Sequence, residues 1–406
     1  MTTATIETPA SMLITCQAAQ SVENAPIDEG QWDAFVESVS GWGYQSWDWT
    51  SVWMQHYRGN RDCRVQIFRT GEQIVGIMPI VIDEVHVGPV HVRVAKPALA
   101  DFTPAVTDPC VCPDMASEVL NRLLERLFGA DRCDVFTTGP VTESSGAVAL
   151  YRAAAMSIDG AKVRETDIAP ETTFDLPESY DSYLRFLSLD QRAQLDRDEQ
   201  RLRETHTVEF DAVCDPEAID DEFEQYLRLY AEQWPRRGRC GHFNDWPGAA
   251  EFARAILKLE AARGRARLYR LILDGTVVAY QPAFRFGDRL HLRLPARRTG
   301  KEFKRLNLNR VVLNRIIERA INDGVHVIES GRGHSDYKLD LGARETPLKS
   351  AVIVRPGLTS RFKAGAFDAW ANALHFGYYR VWHERVARIL PIQHKAISPE
   401  WIRTRL

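Results

Sequence analysis

The feature that most restricts how this chain can fold is that it passes twice through the same succession of elements. In the first half, residues 64–71 and 73–82 are apolar-rich runs on either side of a Gly turn, which predicts a pair of antiparallel strands, and residues 86–94 form a third. Val119, Leu120, Leu123, Leu124 and Leu127 then recur at helical spacing up to Gly129, and residues 133–139 read as a strand. The second half repeats the order. Residues 265–273, the Asp274-Gly275 turn and residues 277–284 predict a hairpin, followed by a strand over 290–294. A helix carrying Leu308, Val311, Val312, Ile316, Ile317 and Ala320 stops at Gly324, and residues 325–331 close the copy as a strand. Strands and helices interleaved in both copies predict an α/β protein of two lobes, each a mixed twisted sheet with flanking helices, joined face to face.

A length of 406 residues suits two domains rather than one core. Residues 1–27 are expected to be a flexible lead-in or an edge strand, 28–170 the first lobe, 171–354 the second, and 355–406 a basic amphipathic helical tail. Two short helices are predicted over 28–57, with Trp32, Phe35 and Val36 on one and Trp49, Val52, Trp53 and Tyr57 on the other, their tryptophans serving core packing. Between the lobes, Ser188-Leu-Asp-Gln191 has capping-box form and starts a helix over 189–204. Its mixed charge and few apolar residues predict that it projects into solvent. Residues 216–234 and 249–262 are amphipathic helices, and the Gly- and Arg-rich loop at 235–241 between them is a candidate substrate lip. The tail carries a net charge of +6 and many aromatic residues, which suits docking on the body of the protein, with a membrane surface or a polysaccharide-synthesis partner as the alternative.

Composition removes several classes of function. With 45% apolar and 26% charged residues the chain is that of an ordinary globular protein. A net charge of −4 provides no global field for DNA, so any basic site is local. Seven cysteines are scattered and only Cys110 and Cys112 lie close together, which predicts reduced thiols and no metal site. The first residues lack the form of a secretory signal, and the longest apolar stretch, at 74–82, contains Pro79 and is far shorter than the roughly 20 residues a membrane span needs. A cytoplasmic location is expected, with peripheral contact to an inner membrane through the tail as a further expectation.

Gly-x-Ser-x-Gly, Walker and His-Glu-x-x-His signatures are absent, which argues against hydrolase, nucleoside-triphosphatase and zinc-protease chemistry. One candidate site is the start of the second-half helix, where Arg297, Arg298, Lys301, Lys304, Arg305 and Arg310 face only Glu302. Unpaired backbone amides at a helix N-terminus favour anions, and basic neighbours add to that attraction for a pyrophosphate. A solvated basic loop is the competing reading. Another candidate is Gly331-Arg-Gly-His-Ser-Asp-Tyr-Lys338, a loop that follows the closing strand. Lys338 is suited to hold a phosphate or stabilise negative charge on a carbonyl oxygen. In the first half, Asp101 is a carboxylate that would accept a proton from an attacking amine or hydroxyl, with helix capping or a turn as the commoner use of such a residue.

Gly43-Tyr-Gln-Ser-Trp-Asp-Trp49, Val75-Gly-Ile-Met-Pro-Ile80, Ala100-Asp101-Phe102, Leu176-Pro-Glu-Ser-Tyr-Asp-Ser-Tyr183, Asp274-Gly275 with Val278-Ala279, and Gly331-x-Gly-x-x-x-Tyr-Lys338 together resemble the CelD-like acetyltransferases associated with cellulose and exopolysaccharide synthesis. The chain is more distantly similar to the FemABX peptidyltransferases. Arg305-Leu-Asn-Leu-Asn309 stands where members of the former family commonly carry a Ser-Pro-Gly-like helix start. The resemblance implies a tandem GNAT fold and transfer of an acyl group from acyl-CoA, acetyl or longer, to an amine or hydroxyl acceptor, a sugar among them. It implies catalytic roles for Asp101 and Lys338; the helix start is expected to supply carrier contacts from Lys304, Arg305, Asn307, Leu308, Asn309 and Arg310, and the loop after the closing strand acceptor contacts from Arg332, His334 and Tyr337. Two alternatives stand beside it: a non-catalytic binding module of a polysaccharide-synthesis complex, and a transferase that uses aminoacyl-tRNA.

Overall fold

The computed structural model describes residues 14–103, 105–234, 240–390 and 395–405. The first half contains β1 (Ile14–Ala19), α1 (Glu29–Ser38), α2 (Trp47–Tyr57), β2 (Asp62–Thr70), β3 (Gln73–Val87), β4 (Val90–Pro97), α3 (Ala116–Phe128), β5 (Val135–Thr137), α4 (Ala147–Met156) and β6 (Lys162–Asp175). Two helices, α5 (Tyr180–Phe186) and α6 (Leu189–Thr205), lead to the second half. There the order recurs as β7 (Val208–Val213), α7 (Pro216–Glu232), α8 (Ala249–Ala262), β8 (Ala266–Leu273), β9 (Thr276–Phe286), β10 (Arg289–Leu292), α9 (Leu308–Asn322), β11 (Val327–Arg332), α10 (Asp336–Leu339) and β12 (Arg344–Val354). The tail forms α11 (Leu358–Ala373), a wider π-type turn over Leu374–Val386, and α12 (Pro399–Thr404). The repeat is thus longer than its sequence signal: each copy also has an opening strand with two helices, and a closing helix and strand.

Local chemistry accounts for several of these boundaries. Asp28 and Ser188 each form a capping box with a Gln three residues on, which starts α1 and α6. The turn between β8 and β9 places both Asp274 (φ 51°) and Gly275 (φ 75°) in the left-handed region, the pair of conformations that a tight hairpin requires.

The expected pair of sheets is instead one continuous sheet in which the lobes meet edge to edge. Its main path runs β1-β2-β3-β4-β5-β12-β6-β11-β10-β9-β8-β7, and two short strands, Val141–Thr142 and Ala296–Arg297, pair beside it. Each half therefore lends its last strand to the other: β12 lies between β5 and β6, and β6 lies between β12 and β11. The expected boundary between residues 170 and 171 falls inside β6, because the charged first part of that strand, facing the partner lobe, carries no apolar run. Ile14 begins an edge strand paired with β2, so the lead-in is structured from that residue.

The core continues across the seam. Trp32 and Trp53 are fully buried and share one cluster with Phe223, Tyr226, Phe252 and Phe284 of the second half, the packing role expected of the tryptophans. Asp33 and Asp48 of the first half pair with Arg265 at 3.0 and 2.6 Å, a further tie between lobes. In the tail, α11 buries Ala364 and Phe367 on Val85, Val92, Val94 and Val352, while Trp401 and Ile402 enter the main core. The tail docks on the body. Helix α6, expected to stand in solvent, lies against the body, with Leu195, Asp198 and Leu202 buried. Of the loop proposed as a substrate lip, residues 235–239 lie outside the described residues.

Candidate active site at the seam of the lobes

β10 and β11 pair in parallel through Arg289↔Val327, Leu290↔Ile328 and His291↔Glu329, and the pairing ends there. Beyond that point a wedge opens between the strands. It is closed by Tyr337 and Lys338 from α10 and by Asn309, Val312 and Leu313 from α9, which leave a hollow of about 30 Å³, water-sized rather than ligand-sized. Lys338 Nζ donates to the Ser330 carbonyl at 2.5 Å.

Two carboxylates, Glu171 on β6 and Glu329 on β11, are buried beside this wedge. Glu329 is compensated: Arg289 pairs with its Oε1 at 2.8 Å and His291 Nδ1 contacts its Oε2. The Gly43 N–H points at His291 Nε2 at 3.2 Å, so that nitrogen accepts and Nδ1 carries the proton toward Glu329. A Cβ on Gly43 would fall 2.6 Å from His291 Nε2, so glycine is required for this approach between lobes. Glu171 is compensated far less. It accepts one hydrogen bond, from the Gly331 N–H at 2.9 Å. Burial, reinforced by the Glu329 charge, pushes its carboxyl up to about 7, against the opposing pull of Gly331, Arg332 and Lys338. Burial likewise lowers Lys338, with Glu171 acting the other way. The seam therefore holds a carboxylate that gains and loses a proton near neutrality next to an ammonium group, a combination suited to moving a proton from an attacking nucleophile.

The residues singled out in the sequence are only partly brought together. Lys338, Tyr337 and Arg332 lie at the seam, and burial pushes the Tyr337 hydroxyl up to about 12. His334 does not join them: it is exposed and tied to Glu345 at 2.7 Å and Asp336 at 3.0 Å. Asp101 is not placed to act as a base. Its carboxylate lies between Arg61 at 2.7 Å and Lys96 at 2.8 Å, with Asp83 as the fourth charge of the cluster. Burial alone would raise it, but Lys96 and Arg61 hold it below the usual carboxylate range, so it binds the proton too weakly to take one at neutral pH. Its role is to lock β4 to the α2–β2 turn. Glu171, buried beside Glu329 and raised by that burial, was not among the residues singled out in the sequence.

At the start of α9, Asn307 adopts a left-handed conformation (φ 48°, ψ 41°) and leaves the first turn without a side-chain cap. Lys304 and Arg305 are exposed beside it. Asn307 donates to the buried Asp198 of α6 at 2.8 Å, and Arg310 is held by Asp198 at 3.6 Å and Asp340 at 3.0 Å. Both are thereby committed within the protein. Leu308 is buried in the core, and Asn309 lines the wedge.

Residues 190–339 match a family model described as an acetyltransferase (GNAT) domain. The match falls within the second lobe, which is similar to a GNAT domain over most of its length. Because the first half repeats its elements in the same order, the fold is that of two GNAT-like lobes in tandem. The match spans less than half of the chain. Among solved structures, FemX is 14% identical with a TM-score of 0.56, over 80% of this chain and 96% of FemX. A conserved protein of unknown function from Bacteroides thetaiotaomicron is 11% identical, TM-score 0.51, over 82% and 99% of the two chains. L-PGS from Bacillus licheniformis is 13% identical, TM-score 0.50, over 84% and 94%. At these identities the likeness is one of fold. No curated protein matches the chain.

A GNAT domain implies an acyl-CoA cosubstrate. The helix start fits the charged end of that molecule, because the uncapped first turn of α9 with Lys304 and Arg305 forms an open cationic corner. The wedge does not fit the acyl end in this conformation: a hollow of about 30 Å³ admits no thioester arm unless the short helix α10 shifts. Among the described residues, no group of three or more His, Cys, Asp or Glu could hold a metal ion.

Proposed function

We propose that the chain transfers an acyl group from acyl-CoA to an amine or hydroxyl acceptor bound at the seam, with Glu171 as the general base. The observation that carries this reading is a buried carboxylate that accepts from the Gly331 N–H at 2.9 Å beside the strand splay closed by Lys338, with burial and the Glu329 charge pushing it up to about 7. Acyl-CoA, when bound, supplies a thioester-activated acyl group, and Lys304 and Arg305 would hold its phosphates. Glu171 accepts the proton that the acceptor loses on attack. Lys338 spends one of its three N–H donors on Ser330 and has two left for a developing negative charge on oxygen. Holding both reactants in one cleft contributes much of the acceleration. Amino sugars and sugar hydroxyls are the acceptors to test first, on the resemblance to the CelD-like family. Release of free CoA from acetyl-CoA and longer acyl-CoAs, assayed with such acceptors, is the direct test. Release without dependence on acceptor, or no release with any thioester, would overturn it.

A second reading has its own support. The closed wedge and the commitment of Asn307 and Arg310 to Asp198 also suit a lobe that has given up its carrier and acts as a binding module. Calorimetry with acyl-CoAs separates the two, since this reading expects no heat. An aminoacyl-tRNA donor, the third alternative, would make activity sensitive to RNase.

The tail is the proposed contact with an inner-membrane surface or a polysaccharide synthase. Leu358, Phe362 and Phe376 are exposed along one stripe of α11 and the turn after it, and Trp382, Ile389 and Leu390 extend the exposed apolar surface. That surface belongs to a segment of net charge +6, a combination that favours an anionic interface. Among the described residues, no helix is long and apolar enough to cross a membrane. Co-sedimentation with vesicles containing phosphatidylglycerol, lost in a Phe362→Ser/Phe376→Ser variant, tests this contact.

A further inference from the structure

A groove of about 820 Å³ lies between α5, α6, α9 and the strands β7 and β8, inside the range of about 300–1,000 Å³ usual for ligand sites. It is distinct from the seam, because α9 stands between them: Asn309, Val312 and Leu313 line the wedge, whereas Asn314, Arg315 and Glu318 line the groove. The repeat explains why it is open. In the first half α3 packs onto the opening strand, so that Ile14 of β1 and Phe128 share one core cluster. In the second half α6 stands beside α9 instead, and Phe210 and Ala212, on one face of β7, stay only half-buried. The walls are fixed to one another. Arg315 of α9 donates to both carboxylate oxygens of Glu199 of α6 at 2.8 and 2.6 Å, and the Tyr180 hydroxyl of α5 donates to the Asn314 side-chain oxygen at 2.9 Å. Phe210 and Tyr269 stack in parallel with ring centres 5.6 Å apart.

What the groove displays limits its occupant. Four acids and four arginines line it, so it carries no net charge and does not suit a polyanion or a polycation. Glu199 and Asp211 are taken up by Arg315 and Arg270. Asp196 and Glu318 are not: among the described residues, neither carboxylate has a hydrogen-bond or ion-pair partner. Donors are free as well. Asn314, only 6% exposed, spends its oxygen on Tyr180 and leaves both amide N–H groups unspent in the wall of the groove. The buried Tyr269 hydroxyl accepts from Arg267 at 3.5 Å and has no acceptor for its own proton among the described residues. Polar groups this deep normally have partners, so an occupant that supplies them is called for. Free donors, free acceptors and aromatic rings in an electrically balanced groove match a molecule with hydroxyl groups around a ring and C–H faces above and below it.

We propose that this groove is a second ligand site, outside the seam, that takes a segment of a neutral glycan. Asp196 and Glu318 accept hydrogen bonds from its hydroxyls, and Asn314 and Tyr269 donate to them. The inference does not rest on acyl transfer. Calorimetric titration of the full chain tests it, with cellotetraose, maltotetraose and tetraacetylchitotetraose as neutral probes and tetragalacturonate and tetralysine as charged ones. Saturable binding of at least one neutral tetrasaccharide is expected, and of neither charged probe at the same concentrations. An Asp196→Ala/Glu318→Ala variant should weaken that binding about tenfold or more. Both side chains are exposed, so its melting temperature should match that of the wild type and the loss reports on the groove. A Lys338→Ala variant should keep the affinity. Absence of saturable binding by every neutral probe, preference for either charged probe, or binding that Lys338→Ala abolishes and the double variant spares would overturn it. No thioester is present in these titrations, so each result is independent of whether acyl-CoA is turned over.

Discussion

At the scale of single residues, the two buried acids Asp101 and Glu171 have opposite fates because their neighbours differ. Asp101 has two cations within 3 Å, so Asp101→Asn should act on stability: about 3–5 kcal/mol is expected to be lost in chemical unfolding, because Arg61 and Lys96 stay buried with less to balance them. Glu171 has one backbone N–H, so Glu171→Gln should act on rate, lowering kcat by about 10²–10⁴-fold with the fold intact. For the wild type, kcat/KM should rise with pH through about 7 as Glu171 ionises, and this limb should vanish in the Gln variant. The stability effect has the opposite direction. A carboxyl raised on folding contributes most below its unfolded value and loses that contribution as pH rises through about 7. Glu171→Gln should therefore gain in melting temperature relative to wild type between pH 6 and pH 8. Gly43→Ala, which drives a methyl group onto His291, should cost both stability and activity.

At the scale of elements, the hairpins and the helices α3 and α9 were legible because their signals are local: Gly71 and Asp274-Gly275 mark turns, and leucines and valines recur at helical spacing. The role of α6 was not legible. Its three buried residues include an acid, and Asp198 is tolerated inside because Gln194, Asn307 and Arg310 surround it, partners that lie in part a hundred residues away. Glu171 was hidden for a related reason. It follows Pro170 within a strand of mixed charge, and proline argues locally against a central strand, while its neighbours Glu329 and Gly331 arrive from the other half. Asp101 was singled out as a candidate base, but its partners Arg61 and Lys96, which decide its use, are set by folding. Two outcomes test the element-level reading. Asp198→Ala should destabilise the chain by about 1–3 kcal/mol in urea unfolding, since Arg310 and Asn307 lose a buried partner. Tyr337→Ala should enlarge the wedge and lower the KM for longer acyl-CoAs relative to acetyl-CoA, measured by CoA release.

At the scale of the molecule, β6 and β12 are exchanged between the halves, so neither half has a complete sheet alone. Calorimetric unfolding of the full chain should show one cooperative transition, and a fragment of residues 1–205 should fail to fold, as judged by dispersion of its amide NMR signals. Tandem lobes joined by a linker commonly admit ligands by swinging apart. Here that route is barred: any gaping at the middle would have to rip the ladder between β12 and β6, which is bonded along most of both strands. Traffic into the centre must instead pass through the few pieces that are not woven into the fabric, above all the short turn bearing Tyr337 and the last residues of the chain.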